Sequence, residues 1–329
     1  MRCPYRPCFP PLRPLPERLA MDGSEVIAFL FSLVLAVAGM VATRKGSLHP
    51  LYFRGNPGPG LVRLAVILSM VWIGLVIAVW ADESVTGIYI VFYLVMGYAA
   101  VKLMGQTVVS AYGARSRVDV AERRNVPAAL VVAAFTLATG LIFGGSLWGD
   151  ADPVGDDEGG WWIVVGFFLM GWVSLLVAFG LFLRREAGRI AVRLRRERSL
   201  QDARAAAIFL LSAAVVLTDA VSGDFWGWRH GLLTFGVLAG MLVTHQVFAG
   251  LAQGKGFPLG ARGGGVAVHG EAMGGQGRGK DRARPEVRAP EEGSGTLGDG
   301  RVLEGLAYAA LALLAWGINR FLDGTWGPG

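Results

Sequence analysis

Cysteine is almost missing from this chain. There are two in 329 residues, Cys3 and Cys8, both within the first ten positions. That excludes a disulfide framework and a CxxC metal site. Histidine is equally scarce: four residues, at 49, 230, 245 and 269. A zinc site needs convergent ligands, and no two of these histidines stand at ligand spacing on one helix. The basic loops hold almost no aromatic residues, so the formal charge of +6 does not describe a nucleic-acid surface. No nucleophile–base pair and no metal constellation is visible. The expectation is therefore no enzyme, no cofactor and no nucleic-acid partner.

What the chain does have is apolar length. It is 53% hydrophobic, with a mean hydropathy of +0.48. Runs of about 20 apolar residues, enough to cross a ~30 Å hydrocarbon core, recur throughout. They predict eight spans, at 24–42, 64–81, 87–106, 127–148, 161–183, 205–225, 232–252 and 302–320. The expected fold is all-α, a polytopic transmembrane bundle of about eight spans in two-helix hairpins.

The loops alternate in charge. Loop 43–63 carries Arg44, Lys45, Arg54 and Arg63, whereas 82–86 carries Asp82 and Glu83. The stretch from Lys102 to Arg124 is basic, and 149–160 is acidic. Eight arginines lie between Arg184 and Arg204, and eight bases between Lys255 and Arg301. Lys and Arg resist translocation, so the basic loops are expected on the cytoplasmic side of a bacterial inner membrane, with both termini outside. Counted from Met21, 25 bases fall inside and two, Arg229 and Arg320, outside. Trp80, Trp148, Trp161, Trp162, Trp226, Trp228 and Trp326 cluster near the proposed outer boundary, where indole favours the headgroup level.

The chain divides into four parts. Residues 1–20 hold six prolines and four arginines with no apolar h-region. This change in composition predicts a start at Met21, with 1–20 a Pro/Arg-rich extension. Residues 21–252 form a seven-span membrane domain. Residues 253–301 form a Gly/Arg-rich cytoplasmic loop that buries too little apolar surface to offset chain entropy, and so reads as disordered. Residues 302–329 hold the eighth span and a short outer tail. Within the loop, Gly274 to Lys280 fits half of a phosphate-binding loop, but Asp281 stands where Ser or Thr would bind magnesium and no strand precedes it.

Hairpins recur in one orientation. Met96-Gly97-Tyr98 leads through a basic loop to Glu122-Arg123-Arg124-Asn125-Val126-Pro127-Ala128-Ala129. Met170-Gly171-Trp172 leads likewise to Asp202-Ala203-Arg204-Ala205-Ala206. Aligning Asn125 with Asp202 gives an offset of 77 residues, and Asn56 with Trp80 marks a weaker first copy. Over about residues 87–252 this arrangement resembles the YjfL-like bacterial inner-membrane family, domain of unknown function 350. Glu122, Asn125, Ala128 and Ala129 match its helix-opening motif, as do Asp202, Ala205 and Ala206, although Asp202 departs from the usual Asn. The resemblance implies an inner-membrane location and no known reaction.

Ionisable groups inside a bilayer are costly, so each is a functional candidate. Asp219 is placed about 9 Å from the outer end of its helix, either as an interfacial residue reaching water or as a cation or proton site. His245 in span seven and Glu304 in span eight are close enough in depth to meet. The plainer readings are a helix–helix hydrogen bond for His245 and a helix-dipole contact for Glu304. Lys102 and Arg63 most simply snorkel. Gly140 with Gly144, and Gly236 with Gly240, are small-xxx-small pairs suited to close packing. On 183–198, Arg185, Arg189, Arg193 and Arg196 share one helical face, suited to anionic headgroups.

The expected protein is a non-enzymatic membrane or envelope-associated component in contact with an anionic lipid bilayer. It is compatible with a homo-oligomer or a membrane-protein partner. The alternative is a small-solute or ion transporter using the intramembrane polar residues. Single cysteines in 149–160 are expected to react with an impermeant reagent from outside, and those in 184–204 only from the cytoplasm. The reverse pattern refutes the orientation.

Overall fold

The computed structural model describes Met21, residues 23–47, 56–112, 114–149, 160–184, 194 and 197–223, and isolated positions at 232, 235, 236, 239, 240, 242–244, 247 and 310. Six long helices lie among these residues. They are α1 (Gly23–Ser47), α2 (Gly58–Val79), α3 (Ile88–Ala99), α4 (Val126–Gly145), α5 (Trp161–Arg184) and α6 (Leu200–Val221). Beyond α3 the chain continues as a π-helical turn, Ala100–Gly105, and a 3₁₀ turn, Val108–Tyr112. A second π turn, Ser116–Glu122, precedes α4. The described residues contain no strand, only an isolated bridge between Ala81 and Gly149.

All six helices are long and apolar enough to cross a membrane, α3 when counted through to Ser110. The molecule is thus an all-helical protein suited to multiple membrane passes. Spans seven and eight of the sequence reading, and the loop 253–301, fall in regions of which only isolated residues, or none, are described. The sixth span begins at Leu200 rather than 205, because Ser199 caps it and Asp202 and Arg204 are absorbed into its first turns.

Local chemistry sets the helix ends. Pro59 and Pro127 stand in the first turns of α2 and α4, where a missing N–H costs nothing. Asn125 caps α4, its Oδ1 accepting the Ala128 N–H at 3.2 Å. Ser199 caps α6, its Oγ accepting the Asp202 N–H at 3.3 Å. The residues just before these caps, Arg124 and Arg198, both have φ of 53°. A left-handed turn by a non-glycine residue is uncommon. The helices also end alike: Gly149 after α4 has φ 138° and Gly223 after α6 has φ 118°. The structural counterpart of Asn125 is therefore Ser199, 74 residues on, and not Asp202. Asp202 is the third residue of α6, a position that receives the cap rather than providing it.

Helix α4 is the centre. Its two most extensive interfaces are with α2 on one side and α6 on the other. Burial rises from 28% of the span in α1 and α2 to 78% in α4. The interfaces are lined by small residues. A Cβ on Gly140 would strike Ser69, and one on Gly144 would strike Trp72, so this pair does serve close packing. No described atom lies within 4 Å of a Cβ built on Gly236 or Gly240. The large apolar side chains that remain exposed, such as Ile27, Phe31, Val41, Ile67, Val71, Val91 and Val173, lie on α1, α2, α3 and α5. They form an outer apolar coat.

Helices α3 and α5 reach α2, α4 and α6 through glycines. Gly97 of α3 lies where a Cβ would come within 2.9 Å of Ile73 on α2 and Phe143 on α4. Gly171 of α5 has the same relation to Ile142 on α4 and Val221 on α6, at 2.8 and 2.9 Å. Gly97→Leu and Gly171→Leu should each destabilise by about 1–3 kcal/mol, the usual result of overpacking, or more because both sides of the contact are helix. Thermal unfolding in detergent checks this, and unchanged stability would show that the crossings have room for a larger side chain.

Candidate functional site

The polar side chains of the interior fall into two groups. The first ties helix to helix. Asn56 Nδ2 donates to Val120 O at 3.1 Å, while its Oδ1 accepts the Gly58 N–H. Asn125 Nδ2 donates to Leu194 O at 2.7 Å. Each acceptor stands five residues before the cap of the next even-numbered helix. At the other end, Gly149 N–H donates to Trp80 O at 3.1 Å and Gly223 N–H to Trp148 O at 2.8 Å. Bonds at both ends fix α2, α4 and α6 as a parallel row joined by the same contacts twice. Trp72 Nε1 donates to Leu141 O at 3.2 Å, and Trp80 stacks on Trp148 with centroids 4.4 Å apart. Tyr112 donates its hydroxyl to Leu176 O at 2.9 Å. Burial pushes the Tyr112 phenol up from its ordinary range against the opposing field of Arg184, which keeps the hydroxyl a donor.

The second group surrounds a chamber at the end of the row where α2 and α4 begin. The π turn after α3 carries Lys102, which is only 5% exposed. Its Nζ lies 3.3 Å from Oε1 of Gln106, itself buried. Lys102 therefore does not snorkel; its stem is covered by protein. Helix α1 presses on it at Gly39, where a Cβ would meet Lys102 Cβ at 2.9 Å, and α4 approaches the same turn at Gly105 through Thr136. Gln106 shares a small cavity with Thr43, Pro59, Val62, Arg63, Ser116 and Val120. Four segments thus converge: α1, the start of α2, the end of the third span and the second π turn. π turns are rare and often found at functional sites.

Asp119, on the second π turn, is committed to structure. Its Oδ2 accepts the Arg115 N–H at 2.9 Å and its carbonyl accepts the Asn125 N–H at 2.9 Å. Its Oδ1 pairs with Arg123 at 3.3 Å. Because Arg123 is mostly exposed, that pair contributes at most about 1 kcal/mol.

Of the candidates expected from sequence, Asp219 is described. It is 4% exposed, so it is enclosed rather than reaching outward to water. Its carbonyl accepts the Ser222 N–H and hydroxyl, and neighbouring Thr218 presses its backbone on Gly145 of α4. His245, Glu304, Arg185, Arg189, Arg193 and Arg196 lie outside the described residues. Lys102 taken alone does not reveal the chamber. The available signal was Gln106 four residues later, on the same face of an otherwise apolar helix. Among the described residues no cluster of three or more His, Cys, Asp or Glu is placed to hold a metal.

Asn125→Ala removes a cap and leaves a buried carbonyl without its donor. The expected loss is about 2–4 kcal/mol, the sum of a cap and an orphaned acceptor. Asn125→Asp keeps the cap and loses the bond to Leu194, so it should fall between. Equal stability of all three forms in thermal unfolding would refute the double role. Comparison with family models, with curated proteins and with solved structures finds no match to this chain.

Proposed function

We propose that this chain is a multi-pass protein of a bacterial inner membrane that serves as a non-enzymatic membrane or envelope-associated component. The observation that carries this reading is the use made of the buried polar groups. Asn56, Asn125 and Trp72 each spend a donor on a carbonyl of another segment. Their chemistry builds a rigid row of helices inside an apolar coat. The same pairing at the α2–α4 and α4–α6 junctions supports hairpins repeated from an ancestral unit, as in the YjfL-like resemblance. The charge of the basic loops supports a cytoplasmic side for the chamber and outer termini, by the charge rule.

The test is fractionation followed by flux measurement. The chain is expected in the inner-membrane fraction and to resist extraction by carbonate. Proteoliposomes of the purified protein are expected to show no ion or proton flux above empty vesicles. Recovery in the soluble fraction overturns the membrane assignment. A flux abolished by Asp219→Asn instead establishes the transporter reading, which the enclosure of Asp219 within a span favours.

A further inference from the structure

The last turn of α6 holds a carboxylate where a carboxylate is costly. Asp219 is the third residue from the end of the helix and is 4% exposed. The free carbonyls of a helix C-terminus give that end partial negative charge, which disfavours an anion. Burial adds to the cost, so an ionised Asp219 calls for a cation beside it. Helix α4 carries no base, and α5 carries only Arg184, at its far end. Asp219 is also turned away from both. Thr218 meets Gly145 of α4, and Val221 meets Gly171 of α5. At 3.6 residues per turn, Asp219 stands about 100° round the helix from Thr218 and about 160° from Val221. Ser212, two turns earlier on the same face, is 5% exposed. The cover over this face therefore descends along α6 for at least about 10 Å, as a helix does in a membrane and an irregular loop does not.

The outer side has two bases to offer, Arg229 and Arg320. Arg229 belongs to loop 226–231. Arg320 ends the eighth expected span, 302–320, which runs in the same direction as α2, α4 and α6. We propose that the face of α6 carrying Ser212 and Asp219 is the docking surface for span eight, with Arg320 set beside Asp219. Charge complementarity extends to the other end of the pair. In a parallel alignment, the offset of 101 residues that places Arg320 at Asp219 brings Glu304 level with Ala203. Next to Ala203 is Arg204, which is exposed on α6. Acid thus meets base at both ends of one register, with the signs reversed. Span seven runs the other way, and its outer end, Leu232-Leu233-Thr234-Phe235, brings no base to the level of Asp219. Span eight is also rich in alanine, at Ala307, Ala309, Ala310, Ala312 and Ala315. The same is true of α4 and α6, the most buried of the described helices. Small side chains are what close approach between spans requires. Span eight then joins the row of α2, α4 and α6 through an ion pair instead of an asparagine. This inference rests on the membrane reading above, from which it takes the direction of span eight.

The full chain is purified in detergent, and its thermal unfolding is measured for Asp219→Asn, Arg320→Gln, the double variant and Arg229→Gln. Breaking a buried pair from either side is expected to lower Tm by about 5–10 °C. The double variant is expected to fall no further than the worse single one, because the pair is lost only once. Arg229→Gln is expected to stay within about 1 °C of the wild type. A second measurement leaves Asp219 untouched. A protease site is inserted into loop 253–301, the folded chain is cut, and co-purification of the C-terminal piece with the remainder is followed. The piece is expected to stay bound in the wild-type and Arg229→Gln backgrounds and to be released in Arg320→Gln. Additive losses from Asp219→Asn and Arg320→Gln, coupling of Asp219 to Arg229 instead, or equal retention of the piece in all three backgrounds overturns the proposal. Loss of membrane localisation in the fractionation above would instead refute the reading beneath it.

Discussion

Inside a bilayer no water is available to satisfy the free amides and carbonyls at the ends of a helix. This constraint organises the molecule. Asn125 answers it for two helices at once, accepting from its own first turn and donating to the carbonyl of Leu194 ahead of the next helix. Asn56 does the same one helix earlier. A side chain with both donor and acceptor is needed for that double contact, which an ionised Asp does not provide. At α6, where only the cap is required among the described contacts, Ser199 suffices.

Close approach follows from the same ties. Helices joined at both ends by short backbone contacts must lie near one another along their whole length, and only small residues permit it. Ser69, Gly140, Gly144 and Gly145 occupy those contacts, and Gly97 and Gly171 let α3 and α5 pass across the row. Dispersion and close packing then replace the hydrophobic effect, which contributes little between helices already in lipid. The buried hydroxyls of Thr136 and Thr139 turn back to carbonyls four residues earlier on their own helix, so they add no orphaned polar atoms to the interface.

Much of the architecture was legible in the sequence because it follows from length and hydropathy. Six of the expected spans coincide with α1 to α6, with ends shifted by a few residues where caps rather than apolarity set the boundary. Ser199 is the clearest case: it looks like a loop residue, and Asp202 is the more conspicuous match to Asn125. The left-handed turn at Arg198 decides between them, and that turn leaves no compositional mark. The parallel order of α2, α4 and α6 was implied by the orientation of the hairpins, but their mutual packing was not. Asp219 was found from its charge, while its enclosure depends on how the end of α6 lies against α4. The chamber was the least legible part. It depends on Lys102 being carried inward by a π turn, and no residue pattern distinguishes a π turn from the α-helix it interrupts.

The central place of α4 also bears on how the protein is made. Its α2 face and its α6 face are completed by segments on opposite sides of it in the chain. A ribosome adds about 5–20 residues per second, so roughly ten seconds separate the end of α4 from the end of α6. During that interval α1 to α4 can already pair, while the small-residue face awaiting α6 is open to lipid or to other proteins. The side of the bundle that binds its partner last is also the side on which insertion factors or a neighbouring chain would have time to act.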